Sequence, residues 1–250
     1  MMEEVPLDLR SKLRLLHGHF AYGIDEYIPR PCRYVTILRH PVDRVVSAFK
    51  HILKREGHEL HDRVLRERID LERFIETFWT DEKRNRQTRD LCNDYGDLSP
   101  DMLERAKRNL QTFLVVGLTE RFEETFAVLR RTLHLRRPFY VTRNVGFPLQ
   151  PSERALDLIR EREQLDLDLY GFAQELFERH VAEQDGSFSI EVVAYRAMRP
   201  LSEAIGSGAA EDFLRKVSRA RAAWDQARIR PRHDVRPDPS FPWGGSSTRR

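Results

Sequence analysis

Two histidines stand one residue apart in the stretch Leu15–Gly23, LLHGHFAYG. A neutral imidazole, with an ordinary pKa near 6.5, can accept a proton from a hydroxyl at neutral pH. His17 and His19 could therefore be a general base with a helper, a pair of metal ligands, or loop residues. The metal reading needs more ligands. A structural zinc takes four, and Cys32 and Cys92 lie far apart without a further His or Cys pair to complete a set, so no metal is expected. Gly18 would let the backbone pass close to a bound molecule. A second group of residues could hold an anion. Arg39 ends the run Tyr34–Leu38, YVTIL, and is followed by Pro41 and Ser47 in RHPVDRVVS. An arginine fork and a hydroxyl near a helix start can grip a phosphate. The plain alternative is an arginine salt-bridged at a strand end, with a serine on a helix surface. Arg44 and Lys50 read as solvated helix charges.

These residues need elements to position them. YVTIL is β-branched and apolar, the pattern of a fully buried strand. Pro41 suits the first position of a helix, because its missing N–H would be unpaired there, and Val42, Val45, Val46 and Phe49 share one helical face. A helix is expected near Asp70–Trp79, followed by the polar patch RNRQTRDL and a helix capped by Ser99 with Pro100 at its first position. FLVVGL, Phe113–Leu118, is a second buried strand, followed by a helix carrying Phe122, Phe126 and Leu129. FYVTRN, residues 139–144, reads as extended, and helices over 152–163 and 166–181 close the core. Strands alternating with helices imply an α/β domain with a parallel sheet covered on both faces. The composition changes near Asp185. Residues 10–184 are expected to form the domain, and 185–250 a C-terminal extension that is partly helical and then disordered. His51, His58, His61, His134, His180 and His233 read as surface residues.

Composition narrows the classes of function. Of 250 residues, 43 are Lys or Arg and 40 are Asp or Glu, for a net charge of +3. That is too small to imply nucleic acid, and no apolar run approaches the ~20 residues of a membrane span. Two separated cysteines fit free thiols in a reducing compartment. The start MMEEVPLDLR is too polar for a signal peptide. A cytoplasmic protein is the expectation.

GHFAYG, YVTILRHPVDRVVSAF, NRQTR, FLVVGLTERFEETFAVL and LDLDLYGFAQELF occur in one order. In that order the chain resembles bacterial relatives of the heparan-sulfate 2-O-sulfotransferases over roughly residues 10–182. The resemblance implies a P-loop-like sulfotransferase fold. It also implies transfer of a sulfuryl group from 3′-phosphoadenylyl sulfate (PAPS) to a hydroxyl, commonly on a carbohydrate, with no metal. By position, Arg39 and Ser47 match the pair that binds the 3′-phosphate. His19 matches the catalytic base, and His17 its neighbour. Asn85, Gln87 and Thr88 match a polar motif taken as substrate-binding, and Asn144 a position near the nucleotide. The chain departs from the pattern twice. His40 stands where the family carries aspartate, and nothing before His17 resembles the family's first strand and its PKTGGT-like loop for the 5′-phosphosulfate. A sheet without its first strand is therefore expected, and the alternative function is that of a truncated, inactive binding protein.

Overall fold

The structure, a computed structural model, describes residues 5–135 and 147–204. The chain divides after Glu203, and the described elements belong to the unit Met1–Glu203; the disorder expected toward the C-terminus concerns residues 205–250, outside the described residues. The first unit is built on two parallel strands, β1 (Val35–Leu38) and β2 (Val115–Leu118), in register from Val35 opposite Val115 to Leu38 opposite Leu118. Its helices are α1 (Leu7–Lys12), α2 (Pro41–Lys54), α3 (His61–Arg66), α4 (Leu71–Phe78), α5 (Arg86–Cys92), α6 (Pro100–Leu110), α7 (Phe122–Thr132), α8 (Glu153–Arg162), α9 (Gln164–Ala182) and α10 (Ser187–Ala204). A mostly helical unit around a small parallel sheet is compatible with the expected α/β class. Asn144 and the FYVTRN segment lie outside the described residues.

The two strands differ in burial. β2 is buried at every position, as a continuous apolar run demands. Gly117 is what lets α7 lie against it. A Cβ at Gly117 would come 2.2 Å from Thr125 Cγ2, and the Thr125 hydroxyl is held 2.9 Å from Leu118 N and 3.0 Å from Leu118 O. β1 corrects the expectation of a fully buried strand. Leu38 is buried, but Val35 and Ile37 are 38% and 39% exposed. Leu114 N donates to Tyr34 O, and the Thr119 hydroxyl donates to Leu38 O. In a parallel ladder alternate residues face opposite neighbours, so Tyr34, Thr36 and Leu38 face β2. Val35 and Ile37 turn their backbone groups to the other edge, which has no strand partner among the described residues. Among the described residues β1 thus has one edge without a strand partner and two partly exposed side chains.

The core has two clusters. One gathers Leu38, β2 and the inner faces of α5, α6, α7, α9 and α10; the other gathers α2, α3, α4 and α8. Helix α10 buries Phe188, Val192 and Tyr195 in the first cluster, and its Glu191 takes Arg130 Nη2 at 2.7 Å and Arg131 Nε at 2.9 Å. The compact unit therefore ends at Glu203, beyond the composition change near Asp185. His61 is also not a surface residue. It is buried, with Nδ1 2.8 Å from Ile52 O, where its ring fills the α2–α3 junction.

Candidate functional site

Arg39 follows β1 directly, and α2 starts two residues later with Pro41 at its first position. The Arg39 peptide is gripped by one side chain. Arg39 N–H donates to Gln87 Oε1 at 2.9 Å, and Gln87 Nε2 donates back to Arg39 O at 2.9 Å. The half-buried guanidinium has no hydrogen bond or ion pair among the described residues, and its Nε is buried without an acceptor. The plain reading of a salt-bridged arginine therefore does not describe it. Ser47 is half-buried about 9 Å along α2 from Pro41, and its hydroxyl makes no hydrogen bond among the described residues. The start of α2 also carries negative charge. His40 N–H donates to Glu120 Oε1 at 2.8 Å, and Tyr170 OH donates to Glu120 Oε2 at 2.7 Å. Burial and then Glu120 push the Tyr170 hydroxyl pKa well above the usual phenol value.

The polar run at 85–88 is built into the protein. Asp166, fully buried, accepts Thr88 N and Thr88 Oγ1 on Oδ1, each at 2.7 Å. Its Oδ2 accepts Gln87 N at 3.1 Å and Gln87 Nε2 at 3.5 Å. Asn85 takes a left-handed φ of 50°. Its Oδ1 accepts the Asp166 N–H at 2.9 Å, and its Nδ2 donates to Arg162 O at 3.0 Å. Glu163, also fully buried, accepts Trp79 Nε1 at 2.6 Å and Asn85 N at 3.2 Å. Burial, and then repulsion from Asp166, raise the Glu163 pKa to about 7 against the opposing pull of Trp79, Arg44 and Asn85. Arg44 is not a freely solvated charge. It lies 3.6 Å from Glu163 Oε2 and 5.4 Å above the Trp79 ring. Sequence reading passed over Glu163 and Asp166. The available signal was two carboxylates three residues apart at the start of the long α9 helix, a spacing that puts both on one face.

His17 and His19 are exposed and have no hydrogen bond among the described residues. Their loop is anchored just downstream. Tyr22 N–H donates to Asp90 O at 2.8 Å, and Gly23 bends the chain at φ 94°. Tyr34 OH accepts Gly23 N at 3.0 Å and Asp25 N at 3.1 Å while donating to Asp25 Oδ1. Burial and Asp25 push its pKa up to about 12. Tyr22, Tyr34 and Phe113 pack as an aromatic trio. Helix α5 thus joins the candidate residues: its first turn holds Arg39 through Gln87, and its last turn holds the chain three residues after His19. Among the described residues no three His, Cys, Asp or Glu side chains gather as a metal-binding group.

No family model matches the chain. It is similar to curated heparan-sulfate 6-O-sulfotransferases. It is 27% identical to heparan-sulfate 6-O-sulfotransferase 1 of Homo sapiens over 191 residues, covering 60% of this chain and 44% of that protein. It is 30% identical to heparan-sulfate 6-O-sulfotransferase 1-B of Danio rerio over 181 residues, covering 58% and 44%, and 26% identical to 6-O-sulfotransferase 3-B of Danio rerio over 178 residues, covering 58% and 42%. The chain spans less than half the length of these relatives. They are 6-O enzymes by name, whereas the motif resemblance points to the 2-O enzymes. The two agree on the coarser class, a distant kinship with carbohydrate sulfotransferases.

Proposed function

We propose that the protein is a sulfotransferase that moves a sulfuryl group from PAPS to a hydroxyl of a carbohydrate acceptor. The observation that carries this reading is Arg39: a half-buried guanidinium at the carboxyl end of a parallel strand, free of any carboxylate among the described residues, in a chain distantly similar to heparan-sulfate sulfotransferases. Ligands of parallel sheets sit beyond such strand ends. Arg39 and Ser47 hold the 3′-phosphate of the donor. His19 accepts the acceptor's proton as its oxygen attacks sulfur, His17 helps orient the acceptor, and adenosine 3′,5′-bisphosphate leaves. Like phosphoryl transfer, this chemistry depends mainly on positioning and charge stabilisation, and it needs no metal. Asn85, Gln87 and Thr88 serve the substrate side indirectly, by holding the backbone at Arg39 and at the start of α5, since their polar atoms are bonded within the protein.

A second reading is an inactive relative that keeps the Arg39 and Ser47 end of the site for binding. It is favoured by Glu120, whose carboxylate already takes the His40 N–H at the start of α2. Assay of sulfuryl transfer from PAPS to a panel of glycans separates the two. Under the first reading the parent turns over, and His19→Ala loses about 10²- to 10⁴-fold in kcat with nearly unchanged nucleotide affinity. Turnover by His19→Ala within threefold of the parent rules His19 out as the base. Binding of adenosine 3′,5′-bisphosphate without turnover on any glycan selects the second reading.

A further inference from the structure

The Gln87 side chain occupies a place on the edge of β1 that a neighbouring strand would otherwise fill. Arg39 belongs to the alternating set, with Val35 and Ile37, that faces away from β2. Its N–H and C=O are both satisfied, by the Oε1 and Nε2 of a single carboxamide. A carboxamide has the same donor and acceptor groups as a peptide, so Gln87 acts as a one-residue strand. It is held in turn from behind: Asp166 accepts both its backbone N–H and its side-chain Nε2, and Asp166 is fully buried and fixed by Thr88 and Asn85. A run of contacts therefore leads from a buried carboxylate, through one amide, to the backbone of the arginine whose guanidinium is left without a partner.

We infer that Gln87 is a positioning residue: anchored by Asp166, its carboxamide clamps the Arg39 peptide and so aims the Arg39 guanidinium at the 3′-phosphate of an adenosine nucleotide. This rests on the proposed role of Arg39. Gln87 does not touch the ligand. It fixes the Arg39 backbone, so that the long side chain searches fewer positions before binding. The consequence is selective. The clamp serves the 3′-phosphate and leaves the rest of the nucleotide alone.

The test is calorimetric binding of adenosine 3′,5′-bisphosphate and adenosine 5′-phosphate to the full chain and to Gln87→Leu, Gln87→Glu, Arg39→Ala, the Gln87→Leu/Arg39→Ala double variant and Val192→Ala. Val192→Ala trims the first core cluster at α10 without touching Gln87, Asp166 or Arg39, so it reports a merely structural loss. The parent is expected to prefer the bisphosphate. Arg39→Ala and both Gln87 variants should lose about tenfold or more of that preference, the Gln87→Leu/Arg39→Ala double variant should lose no more than Arg39→Ala alone, and Val192→Ala should keep the preference while melting lower. Amide exchange at Arg39 should also quicken in Gln87→Leu. If the parent and Arg39→Ala both show no preference for the bisphosphate, the reading of Arg39 falls and this inference falls with it. If Arg39→Ala loses the preference while Gln87→Leu and Gln87→Glu keep it, only the role of Gln87 is overturned. Should Gln87→Leu not fold, Gln87→Glu decides, because it keeps the acceptor for Arg39 N–H but loses the donor to Arg39 O.

Discussion

Glu163 and Asp166 are buried one helical turn apart, and only donors from three other segments make that tolerable. A carboxylate without water needs its lone pairs filled. Asp166 meets this with Thr88 and Gln87, and Glu163 with Trp79, Asn85 and Arg44. For Glu163 the compensation is incomplete, and its pKa rises to about 7. The sign of the linkage follows. Between the ordinary glutamate value of 4.5 and about 7 the folded state holds a proton that the unfolded chain has lost. Glu163 therefore favours the folded state most below pH 4.5, and this contribution fades as pH rises through 7. Its span is on the order of 3 kcal/mol. Comparing thermal midpoints of the parent and Glu163→Gln from pH 5 to 8.5 isolates it from the histidines. The parent's midpoint should fall by about 5 °C relative to the variant's across that range, and parallel curves would show that Glu163 stays charged throughout.

Helix α10 and strand β2 make the clearest demands among the elements. Truncation after Gln184 removes Phe188, Val192 and Tyr195 from the first core cluster and strips Arg130 and Arg131 of Glu191. Each buried side chain is worth about 1.5–3 kcal/mol, so the loss exceeds about 5 kcal/mol. Urea unfolding of a chain ending at Gln184 should show no cooperative native baseline, and a parent-like midpoint would show that α10 is not part of the core. In β2 the demand is for space. Gly117→Ala drives a methyl into Thr125 Cγ2, and Thr125 cannot retreat while its hydroxyl bonds Leu118 on both sides. Overpacking of this kind costs about 1–3 kcal/mol, read as a lower urea midpoint. An unchanged midpoint would mean that α7 shifts freely on the sheet.

At the scale of the whole molecule, the two core clusters meet through polar side chains. Trp79, from the α4 side, donates to Glu163, and Asn85, at the start of α5, reaches both Glu163 and Arg162. They should therefore unfold together. With Trp224 and Trp243 replaced by phenylalanine, Trp79 fluorescence and far-UV circular dichroism should report coincident thermal transitions; an earlier fluorescence transition would show the α2–α4–α8 cluster melting by itself. Both described strands and most helices could be read from periodicity and caps, as with Pro41, Ser99 and the Phe122–Phe126 spacing, because those signals are local. The boundary expected near Asp185 follows a change in composition, and composition does not register that Phe188, Val192 and Tyr195 of α10 are buried in the first cluster. Val35 and Ile37 looked buried because apolar β-branched residues carry no mark of which edge of a sheet they occupy. Arg39 stood out through its position after a strand. The role of Gln87 and its carboxylate support did not, since hydrogen bonds across 48 and 79 residues leave no pattern in the sequence.

The open side of β1 has a further consequence, for self-association. An exposed strand edge invites pairing with other chains, and Tyr34–Leu38 has the β-branched, uncharged character that such pairing favours. Cross-β stacks grow from segments of about six or seven residues. Here the free ladder is short: within β1 Val35 and Ile37 turn their backbone groups to that edge, and among the described residues Gln87 plugs it at Arg39. An approaching strand would find purchase for two residues and then meet a side chain already in its place. The amide that steadies the arginine also works as a stopper against fibre growth.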